Sequence, residues 1–169
     1  MRYRIQIQLG DITKLKVDAI VNAANTSLLG GAGVDGAIHR GAGPELLEFN
    51  KKLGGCKTGE AKISPGFNLP AKFIIHTVGP VWNSGKNKED NLLASCYKNS
   101  LKLAIENNIK TIAFPAISTG VYHFPLERAT KIAVSEVKKF LEKTQSIEKV
   151  VFVCFDEETY RVYKNIIKE

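Results

Sequence analysis

Val17-Asp18-Ala19-Ile20-Val21-Asn22 is a short apolar run ending in polar residues, and Gly30-Gly31-Ala32-Gly33-Val34-Asp35-Gly36 follows a little further on. Residues 31–36 match the pattern GxGxxG letter for letter. A doubly wound dinucleotide fold would need those glycines directly after the strand, opening a long helix, with an acid about 20 residues on. Here Asn22–Leu29 intervene, and Lys51 and Lys52 stand where the acid should be. That fold is rejected, but the physics of the glycines survives. They let backbone N–H groups approach an anion closely, and a helix starting there adds positive potential. A plain turn that tolerates positive φ explains the same residues, and on local evidence both readings stand.

Outward from this stretch, strands and helices interleave. Arg2–Leu9 alternates with Ile5, Ile7 and Leu9 on one face, as a strand does. Further strands are predicted at Val17–Asn22, Ala61–Ser64, Phe73–Val78, Thr111–Phe114 and Lys149–Cys154. A short helix is predicted near Val34–Arg40, and a second over Pro44–Lys52 with Pro44 as its first residue. Helical spacing recurs through Leu92, Cys96, Tyr97, Leu101 and Ile105, through Leu126, Ala129, Ala133, Val137 and Leu141, and through Tyr160, Tyr163, Ile166 and Ile167. Strands alternating with helices predict one α/β domain over 1–169, a three-layer α/β/α sandwich. Two adjacent early strands and a neighbouring pair in the middle predict a mixed, about six-stranded sheet. Such sheets bind ligands beyond the carboxyl ends of their strands. The polar clusters lie at those ends: Asn22 and Asn25 after the second strand, Ser118–Tyr122 after the fifth.

The chain has 169 residues, 44% of them hydrophobic, and a formal charge of +7. One domain with a full core is expected. The charged start, with no apolar segment behind it, predicts no secretion signal, and no stretch reaches the ~20 apolar residues of a membrane span. Cys56, Cys96 and Cys154 are odd in number and far apart, which predicts reduced thiols and a cytoplasmic location. The basic charge favours phosphates and nucleotides. The lysines are scattered, however, with no basic run interleaved with aromatics, so nucleic acid is not expected as a partner. His39, His76 and His123 lack metal-ligand spacing, and no metal is expected.

Ala116-Ile117-Ser118-Thr119-Gly120 imitates a nucleophile elbow, but the next helix waits until about Pro125 and no His follows Asp156. A serine hydrolase is set aside, and the loop reads better as a second phosphate cradle. Two cradles suit a diphosphate. Asp35 sits inside the first, where a carboxylate would repel an anion. It is either a cap for the Gly36–Arg40 helix or a group acting on water beside a phosphate-bound substrate, whose charge would raise its pKa. Asn22 and Asn25 suit the vicinal hydroxyls of a sugar or simple turn chemistry, and both remain open. Phe155, on local evidence, favours the core over stacking on a base.

The chain resembles the macrodomain family throughout. The matching pieces are Gly10-Asp11-Ile12-Thr13, Val21-Asn22-Ala23-Ala24-Asn25, Leu29–His39, His76-Thr77-Val78-Gly79-Pro80 and Phe114–Tyr122, in order and at natural spacing. It looks like the MacroD-type branch, whose bacterial members deacetylate O-acetyl-ADP-ribose and whose relatives remove mono-ADP-ribose from acidic side chains. The resemblance implies an ester hydrolase without cofactor, with ADP-ribose, O-acyl-ADP-ribose and mono-ADP-ribosylated proteins as partners. Asp11 would accept from the adenine amine, Ile12 would contact the ring, and Phe155 would stack on it. Gly33 and Val34, with Ser118, Thr119, Gly120, Val121 and Tyr122, would surround the diphosphate. Asn22 and Asn25 would position the distal ribose and Phe124 would pack against it. Asp35, with Asn25, would act on the attacking water, and His39 would stand behind them. His123 departs from the Gly usual in this branch. The rival readings are a module that binds ADP-ribose without turnover and an RNA- or poly(ADP-ribose)-binding protein.

Overall fold

In the computed structural model, which describes residues 4–168, six strands form one sheet in the order β1-β6-β5-β2-β4-β3. They are β1 (Ile5–Leu9), β2 (Ala19–Ala23), β3 (Ala61–Pro65), β4 (Phe73–Thr77), β5 (Thr111–Phe114) and β6 (Lys149–Cys154). Neighbours run parallel except at one edge, where β3 is antiparallel to β4. The sheet is mixed, as expected, but β1 and β2 do not lie side by side. β1 sits at the far edge against β6, in register Ile5 opposite Val150. The residues of the predicted first strand before Arg4 lie outside the described region.

The two sides of the sheet divide by the alternation of strand residues. Ala19 and Val21 of β2, Ile75 of β4, Ile112 and Phe114 of β5, and Val150, Phe152 and Cys154 of β6 pack on one side. Three helices cover that side: α3 (Glu89–Glu106), α4 (Leu126–Lys143) and α5 (Glu157–Ile167). Ile20, Ile74, Ala113, Val151 and Val153 face the other side, against α1 (Gly33–Ala42) and α2 (Pro44–Leu53). Central parallel strands buried on both faces lose their polar alternation, which is why β5 and β6 read as plain apolar runs. The layers are thus the predicted α/β/α sandwich.

Local chemistry sets the helix ends. Pro44 opens α2, where its missing N–H is no loss. Gly54 closes the same helix in the left-handed conformation. Asp156 caps α5, its carboxylate accepting from Thr159 N–H at 2.8 Å. Among the described residues, no helix is long and apolar enough to cross a membrane.

Candidate active site

The five parallel strands all point the same way, so the segments that leave their carboxyl ends gather along one edge of the sheet. They enclose a cleft of about 1150 Å³, lined by Gly10–Ile12 after β1, Ala23–Asn25 at the end of β2, Gly79 after β4, residues 115–124 after β5 and Phe155 after β6. The Gly31–Asp35 turn at the start of α1 supplies the facing wall.

Asp35 lies in the first turn of α1, and Ala32 rather than an acid occupies the capping position, with no side-chain cap. The cap reading of Asp35 therefore falls. Its side chain is buried, 4% exposed, and Oδ1 accepts from Asn22 Nδ2 at 2.9 Å. His39, one turn further along α1, places Nε2 3.5 Å from the same oxygen. Burial raises the Asp35 carboxyl above its ordinary value, against the lowering effects of the Asn22 hydrogen bond and the His39 charge. No phosphate is needed for that shift. Asp35 Oδ2 faces Gly31: a Cβ there would stand 3.0 Å from Oδ2 and 3.3 Å from Asn25 Nδ2. Gly31 thus keeps open the gap between the carboxylate and the Asn25 amide. Asn25 itself is anchored, Nδ2 donating to Gly30 O at 2.9 Å and Oδ1 accepting from Ser27 N–H at 3.0 Å.

Asn22 departs from expectation. It is 0% exposed and does not line the cleft; it stands beneath Asp35, between that carboxylate and His76. By the alternation of β2 it lies on the same side as Ile20 and faces α1, where Asp35 stands between it and the cleft.

The opposite wall is the segment after β5. Ser118 takes a left-handed φ of 68° and His123 one of 60°. The bonds that fold this loop use His123 N–H, donating to Gly120 O, and Phe124 N–H, donating to Ser118 O. The N–H groups of residues 118–122 take no part in those bonds, which leaves them for an acceptor in the cleft. Gly79 is packed beneath, where a Cβ would meet Ser118 Oγ at 2.1 Å. Phe124 is buried against Trp82, ring centroids 4.8 Å apart, and Trp82 N–H donates to Tyr122 O at 2.8 Å. Trp82 is braced in turn by the Arg128 guanidinium 5.0 Å from its ring, and Arg128 is paired with Asp90. Glu89 holds the connecting turn by accepting from the N–H groups of Asn83, Gly85 and Asn87.

A buried carboxylate and an anchored amide face a loop of free N–H groups across a cleft at the strand ends. The model of the Macro domain family matches residues 21–133. This chain belongs to the Macro domain family. The O-acetyl-ADP-ribose deacetylase of Escherichia fergusonii is 56% identical over 173 residues, spanning 100% of this chain and 98% of that protein. The ADP-ribose glycohydrolase MACROD2 of Xenopus laevis is 54% identical across 98% of this chain, which corresponds to 40% of that longer protein. Among solved structures, the Trypanosoma brucei macrodomain in complex with ADP-ribose superposes with a TM-score of 0.92 at 45% identity, over 97% of this chain and 69% of that one.

The far end of the cleft in this macro domain is built differently. Asp11 Oδ1 accepts from Thr13 N–H at 2.9 Å and Thr13 Oγ1 at 2.7 Å, and those bonds hold its carboxyl below the usual range. Ile12 is buried against the sheet and still lines the cleft. Phe155 is 91% exposed at the lip, so it is not a core residue. Gly33, Val34, Asn25, Asp35, Thr119, Gly120, Val121, Tyr122 and Phe124 all line the cleft with Ser118, while His39 lies behind Asp35. His123 also lines the cleft. Arg40 is a cation on this wall that the motifs did not single out, and His76 and Ser64 lie behind Asn22. Helical spacing marks Arg40, one turn after Gly36; the sequence carries no signal for the pairing that brings His76 to Asn22.

Proposed function

We propose that this macro domain is a hydrolase that binds ADP-ribose and cleaves an ester on its distal ribose, either in O-acetyl-ADP-ribose or in mono-ADP-ribose attached to an acidic side chain. The observation that carries the reading is Asp35: a buried carboxylate, its pKa raised by burial, with one oxygen turned to the cleft beside the Asn25 amide. Adenine lies at the Asp11, Ile12 and Phe155 end. The diphosphate lies between the N-terminal turn of α1 at Gly33 and Val34 and the N–H groups of residues 118–122. The distal ribose then falls beside Asn25 and Phe124. The names of the two relatives, a deacetylase and a glycohydrolase at 56% and 54% identity, support hydrolysis. The ADP-ribose complex of the Trypanosoma brucei macrodomain supports the ligand.

In this reading a water held between Asp35 Oδ2 and the ligand attacks the acyl carbon. Its proton passes to Asp35, the bond from the acyl carbon to the sugar oxygen breaks, and Asp35 returns that proton to the sugar oxygen as it leaves, giving the free acid and ADP-ribose. A carboxyl whose pKa burial has raised is better matched to this proton transfer than an exposed one. Arg40 and the helix start offset the charge of the diphosphate. The three buried free thiols support a cytosolic setting. The test is to incubate the protein separately with O-acetyl-ADP-ribose and with a mono-ADP-ribosylated protein and to follow free ADP-ribose. Release from either substrate is expected. Tight ADP-ribose binding with no release from either would leave a binding module.

A further inference from the structure

A chain of hydrogen bonds runs from Asp35 away from the cleft through three strands. Asn22 on β2 pairs in register with His76 on β4, and β3 brings Ser64 alongside. Asn22 Nδ2 donates to Asp35 Oδ1 and lies 3.1 Å from His76 Nδ1. His76 Nε2 lies 2.9 Å from Ser64 Oγ, and the Ser64 hydroxyl donates to Pro65 O at 3.2 Å. Asn22 and His76 are 0% exposed, and Ser64 2%. The directions follow from the Asp35 end. A carboxylate only accepts, so the Asn22 amide nitrogen faces it, and that same nitrogen lies against His76 Nδ1. The neutral ring then accepts at Nδ1 and carries its proton on Nε2, which donates to Ser64 Oγ and leaves the Ser64 hydroxyl to donate to Pro65 O. One N–H of that nitrogen goes to His76 and the other to Asp35. Asn22 Oδ1 is left buried without a partner among the described residues, a cost that the flipped amide would exchange for a carbonyl oxygen against the Asp35 carboxylate.

We propose that His76, oriented by Ser64, is a positioning residue for the hydrolysis: it locks the Asn22 amide with nitrogen toward Asp35, and so holds that carboxylate in place with its second oxygen free for water. Its importance for turnover rests on the role given to Asp35 above; the orientation of the chain does not. His76 is suited to this task because burial, and secondarily the charge of His39, lower its pKa to about 3, so the ring stays neutral across the working range. The groups that face Asp35 are Asn22 from β2, His39 from its own helix and the Asn25 amide, with Arg40 further along the cleft wall. None of these reproduces the second N–H acceptor that His76 provides.

Two measurements test this. Nitrogen NMR of the unmodified protein reads the His76 tautomer: a proton on Nε2 and none on Nδ1 is expected, and a proton on Nδ1 overturns the proposal without any variant. Carbon NMR then follows the Asp35 carboxyl titration, assigned by its loss in Asp35→Asn. In His76→Phe the Asp35 midpoint and the acidic limb of kcat should move up together. The value of kcat at neutral pH should fall about tenfold, the rate equivalent of one lost hydrogen bond, with ADP-ribose affinity unchanged. His76→Asn, which keeps an acceptor near the Nδ1 position, should restore all three, and a merely structural role would not produce that rescue. An unmoved Asp35 titration in folded His76→Phe overturns the proposal. Full turnover by Asp35→Asn is a separate failure: it removes Asp35 from the chemistry, while the tautomer and titration still report on the chain.

Discussion

The two ends of the cleft are built on opposite physical terms. At the Asp11 end the groups are open: Phe155 is 91% exposed, and Asp11 is steadied by its own turn through Thr13. At the Asp35 end four buried side chains are tied in a row, Asp35 to Asn22 to His76 to Ser64. An open platform can gain affinity from one stacked ring and one charged acceptor without ordering the core. A buried network pays desolvation but holds its groups in one arrangement, which is what a reaction needs. Changes at the open end should therefore move affinity, and changes at the buried end should move turnover.

The largest effect belongs to Asp35. Asp35→Asn should reduce kcat by ~10²–10⁴, the range for a general acid–base group, and leave ADP-ribose affinity intact or slightly improved. Its stability should change in the other direction. Because the folded carboxyl is raised, its favourable contribution is complete below the unfolded carboxyl value and is lost as pH rises through the folded value. At neutral pH the ionised group opposes folding. The uncharged asparagine should therefore raise the melting temperature at pH 7, with the gain shrinking toward acid pH. Rate, calorimetry and melting on one preparation check all three.

At the open end, Asp11→Ala should weaken ADP-ribose binding by ~1.5–3 kcal/mol, the worth of a hydrogen bond to a charged acceptor. Isothermal titration reads this directly, and kcat at saturation should hold. Phe155→Ala should cost ~1–3 kcal/mol of affinity through lost stacking, with almost no change in melting temperature because the ring is exposed. A large fall in kcat from either change would erase the contrast between the ends. The smallest effect is none: among the described residues no cluster could hold a metal ion, and turnover in excess chelator should equal turnover without it.

How much of this was legible depends on the range of the interactions involved. β5 and β6 could be read to the residue, because a short apolar run bounded by polar residues is a local signal. The start of α2 was equally plain from Pro44. The place of β1 beside β6 was not legible, since strand order is decided by contacts between distant segments. Asn22 shows the same limit at the site. Its strand-end position suggested a sugar contact, whereas the alternation of β2 and its pairing with β4 turn it toward His76. Phe155 could be read as exposed only through the resemblance, because an aromatic at a strand end fits the core equally well. The glycines and the loop after β5 were recognisable as cradles, but the Trp82, Arg128 and Glu89 brace that fixes that loop depends on a turn with no motif of its own.

In the proposed reaction water attacks the acyl carbon of an ester on the distal ribose. Turnover of O-acetyl-ADP-ribose in water enriched in heavy oxygen, with mass spectrometry of both products, tests it most directly. The label is expected in acetate, with no more in ADP-ribose than an ADP-ribose control takes up in the same water, and the reaction is expected to be nearly abolished in Asp35→Asn. Label in the ADP-ribose above that control, with unlabelled acetate, would place the attack on the sugar carbon and contradict it, as would full turnover by the variant.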